Sequence, residues 1–91
     1  MELWIRVQKN KKLIQGLFKA DNLFVDTDID NKWCIQQSGD TLGIYKSKQR
    51  ALEILDEIHQ RLIDLQTLEI TSDFYKVCKR NLDNVYEMPK E

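Results

Sequence analysis

Asp26, Asp28 and Asp30 stand at alternate positions, and a D-x-D-x-D run can wrap oxygen ligands round a calcium ion. Such a loop also needs glycine at its sixth position and a bidentate acid at its twelfth. Asn31 and Gln37 stand there instead, and the flanks read as strands. The segment therefore reads as an acidic hairpin connection in which Asp30-Asn31 supplies the turn conformers, and no metal is expected. His59 is the one histidine. A general base needs a nucleophile within reach and a third group to orient it. On a helix its neighbours would be Leu55, Asp56, Leu62 and Ile63, so a rim histidine paired with Asp56 is expected. Ser38, Ser47 and Ser72 lack a nucleophile-elbow context, and Gly16, Gly39 and Gly43 are too isolated to cradle a phosphate. Cys34 and Cys78 have no C-x-x-C spacing and read as small buried thiols. Glu53, Asp56 and Glu57 fall on the solvated side of a helix. No enzyme and no cofactor are expected.

Binding is a different matter. Alternation puts Trp4, Arg6, Phe24, Gln36 and Tyr45 on a common face of a sheet, and Lys9, Lys11 and Lys12 crowd one loop. Aromatics beside an arginine can stack bases, in single strands or in a small nucleotide. They can equally form a second layer of core or an interface with a protein. The candidate ligand- or partner-binding residues are Trp4, Arg6, Lys9, Lys11, Lys12 and Tyr45.

The elements that would position these side chains follow from the hydrophobic period, which changes near residue 47. Short β-rich runs come first: Leu3 to Val7, Leu13 to Phe18 with a weak point at Gly16, Leu23 to Thr27, Trp33 to Gln37 and Thr41 to Lys46. Ser38-Gly39-Asp40 is a clear turn. From Ser47, a natural N-cap, Ala51, Leu55, Ile58, Leu62 and Leu65 recur at helical spacing, with Leu52, Ile54 and Ile63 widening the stripe. The spacing predicts a helix over 47–67, a short second helix over 72–82 and a strand-like tail over 85–88 that returns to the sheet. The fold class expected is one α+β domain over 1–91, an antiparallel meander of about five strands packed on the long helix.

Ninety-one residues allow one domain. Fourteen basic residues against fifteen acidic ones remove the strongest reason to expect nucleic acid. The halves differ, however. Residues 1–50 hold nine Lys/Arg against six Asp/Glu, and 51–91 hold five against nine, or +3 against -4. Charges interrupt every apolar run well short of the roughly 20 residues a membrane helix needs. The opening Met1-Glu2-Leu3-Trp4-Ile5-Arg6 has no signal-peptide pattern. A cytoplasmic protein without membrane contact is expected.

Leu3-Trp4-Ile5-Arg6, the run from Leu42-Gly43-Ile44-Tyr45-Lys46-Ser47 into Arg50-Ala51-Leu52-Glu53-Ile54-Leu55, and Val85-Tyr86-Glu87-Met88-Pro89 resemble small uncharacterised phage and prophage proteins of Gram-positive, Firmicute-type bacteria. The likeness covers about half the chain and carries no activity with it. It implies an accessory protein that binds and inhibits a host protein, including one of antiviral defence. The alternative is an oligomeric binder of a small nucleotide signal. A homodimer is expected, because a wide helical stripe and the aromatic sheet face, Trp4 and Tyr45 included, exceed what one helix can cover.

Overall fold

The computed structural model describes residues 2–70 and 84–91. The elements run β1 (Trp4–Arg6), β2 (Leu17–Lys19), β3 (Leu23–Thr27), β4 (Trp33–Gln37), β5 (Asp40–Tyr45), α1 (Lys48–Ile70) and β6 (Val85–Glu87). The class is α+β. The strands do not form the single five-stranded meander expected; they divide into two three-stranded sheets. One is the antiparallel meander β3-β4-β5. In the other, β1 lies between β2, antiparallel to it, and β6, parallel to it.

The division occurs between Lys19 and Leu23. Ala20 N donates to Leu3 O at 2.8 Å, holding β2 on β1, and Leu23 N donates to Asp21 O at 2.9 Å, a tight reversal. The Gln37 side chain fills the corner. Its amide donates to Lys19 O at 2.7 Å and its carbonyl accepts from Asp21 N at 2.8 Å. Main-chain groups that a continuing ladder would have paired are satisfied by one side chain, so the chain can leave one sheet for the other.

Gln8 makes the second stitch, and it is 1% exposed. Its backbone N–H bonds Leu42 O at 2.9 Å. Its side-chain oxygen accepts from Ile44 N at 2.8 Å, and its amide nitrogen lies within 3.0 Å of the carbonyls of Ile44, Pro89 and Lys90. Two N–H groups serve three acceptors, so one bond is shared. Gln8 thus ties the end of β1 to β5 and to the tail beyond β6. The polar cluster that ends β1 contains a buried clamp.

The second run is shorter than expected. Leu13–Gly16 are not strand; Ile14 is 87% exposed, and Val7 N reaches Gly16 O at 3.1 Å before β2 proper begins. Ser47 Oγ caps α1 by accepting from Arg50 N at 3.1 Å. The buried helical residues are Ala51, Ile54, Ile58 and Leu65, while Leu52 and Ile63 are exposed and Leu55 and Leu62 half-buried. Ile54 is therefore central, not flanking. α1 packs on β3, β4 and β5, and the returning strand reaches it through Tyr86, whose Oη donates to Glu57 and whose ring centroid lies 5.7 Å from the Arg61 guanidinium. Ala51, Ile54, Ile58 and Leu65 form the buried side of α1. One core joins these residues to Leu3, Ile5, Val7, Ile35, Leu42, Tyr45, Tyr86 and Met88. The helix expected over 72–82 lies outside the described residues, as does Cys78. No helix among the described residues is long and apolar enough to cross a membrane.

Candidate functional site

Tyr45 is 2% exposed and lies on the inner face, against expectation. The cause is one extra residue. Gln36 pairs with Thr41 but Ile35 pairs with Gly43, so Leu42 bulges out of the register. Plain pairing through the Ser38–Gly39 turn would put Tyr45 on the face of Gln36. The bulge reverses the alternation beyond it and sets Tyr45 opposite Trp33. Gly43 makes the space, since a Cβ there would stand 2.7 Å from Tyr45 Oη and 2.9 Å from Met88 Cε. Tyr45 Oη donates to Pro89 O at 2.8 Å. Burial pushes the phenol up from its ordinary value; Arg50 opposes this and Glu57 adds to it.

Of the other expected site residues, only Arg6 and Lys9 meet in one recess. Trp4 and Arg6 share the outer face of β1, where Arg6 pairs with Glu87 at 3.5 Å. Phe24 and Gln36 sit opposite each other in the other sheet. Lys9 lines a recess of about 210 Å³ with Arg6, Glu87 and Lys90. Lys11 and Lys12 are exposed in the turn that Leu13 N closes on Asn10 O at 3.0 Å. The burial of Tyr45 also removes one of the three aromatics, Trp4, Phe24 and Tyr45, from the face on which a dimer was expected.

Two other features stand out. The first is the β3–β4 connection. Asp28 N donates to Lys32 O and Asn31 N to Asp28 O, at 2.9 and 3.1 Å. The Asp28 carboxylate accepts from both Asp30 N and Lys32 N at 2.9 Å. Asn31 takes the left-handed conformation at φ 59°, the turn role expected of it. On this fixed backbone Ile29 is 100% exposed.

The second is an open groove of about 760 Å³ at the end of β5. Lys32 enters it from the β3–β4 connection, Lys46 from the β5–α1 link, Arg50 from the first turn of α1 and Lys90 from the tail. Ile44, Tyr45, Asn10 and Glu91 complete its wall. Arg50 is braced by Glu53 at 3.4 Å and by the main-chain oxygen of Glu91 at 3.0 Å. Lys48, beside it, lies over Trp33 at 5.5 Å from the ring centroid. The four cations are scattered from residue 32 to residue 90, so no spacing in the sequence announces them.

Cys34 is buried, its thiol 3.3 Å from Asp26 O with the Gln36 amide donating to its sulfur at 3.1 Å. Burial pushes the thiol up and Asp28 and Asp26 add to this, against the Gln36 bond, so it is held protonated and poorly nucleophilic. His59 is exposed on α1. Among the described residues no group of three His, Cys, Asp or Glu side chains is placed to hold a metal.

No protein-family model, no curated protein and no solved structure matches the chain. The site rests on its own geometry.

Proposed function

We propose that this is a non-enzymatic binding protein of the phage-accessory kind its sequence resembles, and that it inhibits a host protein by docking the Asp28–Lys32 hairpin tip. The observation that carries the reading is Ile29. A lone exposed isoleucine is ordinary, but this one is wholly exposed on a backbone fixed by four hydrogen bonds. An apolar knob already held in its bound conformation loses little conformational freedom when a partner covers it. Asp26 and Asp30 beside it are exposed, so the complementary surface is an apolar pocket with a basic rim.

The test uses the wild-type chain and Ile29→Asp as parallel baits in a Firmicute lysate, with captured proteins quantified. A partner retained by the wild type and lost by the variant, then inhibited by the purified wild type, supports the reading. Loss of a central anchor weakens such interfaces by ~2 kcal/mol or more, about 30-fold. Identical captures by both baits would refute it. Ile29 buries nothing, so the variant should keep the wild-type melting temperature.

A further inference from the structure

We infer that the groove at the end of β5 binds a small ligand carrying adjacent phosphoryl groups, the size of a nucleoside diphosphate. Four cations, Lys32, Lys46, Arg50 and Lys90, line it against one carboxylate side chain, Glu91. Among the described residues no carboxylate pairs with the ammonium of Lys32, Lys46 or Lys90. The chain as a whole is net -1, so this excess is local. Elsewhere on the surface Arg6 is matched by Glu87 and Lys19 by Glu2, while Lys9, Lys11 and Lys12, unpaired with any carboxylate among the described residues, lie outside this groove.

The helix adds to the same field. The first turn of α1 contains no acid, although acids are the residues favoured at the positive end of a helix. Lys46, Lys48 and Arg50 crowd that end instead. Arg50 is answered by Glu53, but Lys32, Lys46 and Lys90 have no carboxylate partner among the described residues; such like charges held together are unfavourable, and a bound anion relieves them. The guanidinium of Arg50 is already fixed by Glu53 and Glu91, so it meets the anion preformed. Asn10 spends its side-chain oxygen on Lys12 N, which leaves its amide nitrogen as a neutral donor in the wall. The volume falls within the roughly 300–1,000 Å³ range of small-molecule sites, and Ile44 offers an apolar surface for the rest of the ligand. The single strands of nucleic acid are the less favoured occupant, because stacking aromatics are missing: Tyr45 is buried and Trp33 lies beneath Lys48.

The experiment is calorimetric titration of the full chain with ADP, pyrophosphate, adenosine and a ten-residue oligothymidylate. ADP and pyrophosphate should bind, more weakly as salt rises, and adenosine should not. Lys46→Gln with Lys90→Gln should weaken ADP at least tenfold. Lys9→Gln with Lys11→Gln and Lys12→Gln should leave it unchanged, and so should Ile29→Ala, because Ile29, unlike Lys32 of the same hairpin tip, does not line the groove. Melting curves check that each variant folds, and Lys32→Gln alone replaces the double variant if that one does not. Failure of both phosphates at millimolar concentration overturns the inference. So does adenosine binding as tightly as ADP, undiminished binding in Lys46→Gln/Lys90→Gln, or binding of the oligonucleotide alone.

Discussion

In the β3-β4-β5 sheet each strand is joined to the next by a short connection, Asp28–Lys32 or Ser38–Gly39, whereas β1 finds β6 only across the whole intervening chain. The first sheet is specified by turns. Asn31 and the Ser38–Gly39 pair take positive φ, and the side chain of Asp28 closes its own loop. The second has strands of three residues and little ladder of its own, and Gln8 and Tyr86 hold it in place. Local turn chemistry suffices for a hairpin, but a pairing between distant segments needs polar side chains dedicated to it.

Gln8→Leu is the change that should break this contrast most sharply. It strips the bonds to Ile44, Pro89 and Lys90 from a buried site, and about 3 kcal/mol of stability should go with them. Gln37→Leu removes two bonds at a more open corner and should cost only about half as much. Urea unfolding measures both, and equal losses would mean that the buried clamp at Gln8 holds the two sheets together no more firmly than the Gln37 corner does.

Tyr86→Phe comes next. Losing the bond to Glu57 should cost ~1 kcal/mol at neutral pH. Burial first, and Glu57 after it, raise this phenol above its ordinary value of 10. The folded protein therefore keeps a proton that the unfolded chain releases, so the contribution is intact below pH 10 and declines as pH rises beyond it. Tyr45 acts in the same direction. Wild-type stability should fall as pH rises above 10, and the fall should be shallower in Tyr86→Phe. Equal slopes would detach Tyr86 from the titration.

The smallest effect sharpens the other side of the contrast. Ser38 and Gly39, at φ 50° and 84°, form a two-residue turn for which Asn-Gly is the favoured sequence. Ser38→Asn should add about 0.5 kcal/mol. Amide exchange should slow in β4 and β5 and stay unchanged in β1 and β6.

What the sequence made legible follows the same divide. β3 and β4 have the expected limits because Asp28-Ile29-Asp30-Asn31 and Ser38-Gly39 mark their ends, and Ser47 marks the start of α1. The return of 85–88 to a sheet was legible in its apolar residues, but its parallel pairing with β1 was not. The split into two sheets was hidden because Gln8 and Gln37 look like any loop or strand glutamine. Tyr45 was misplaced because nothing in Thr41-Leu42-Gly43 announces a bulge, although Gly43 is the residue that tolerates it. The hairpin tip was readable as a turn. The groove was not, since its four cations meet only once β5, α1 and the tail have been brought together.

The parallel pairing of β1 with β6 also bears on the rate and order of folding. Gln8 and Pro89, which it brings together, are 81 positions apart. Closing so long a loop costs ~4 kcal/mol by chain statistics, and contacts of this range form late. The hairpins of β3-β4-β5 and the first turns of α1 can assemble as the chain leaves the ribosome. β1 cannot: one of its edges stays unpaired until Val85–Glu87 has been synthesised. For that interval its Leu3, Ile5 and Val7, which share the finished core with Tyr86 and Met88, are incompletely covered. Aggregation in the cell should therefore begin at the first strand of the chain, however stable the finished protein is.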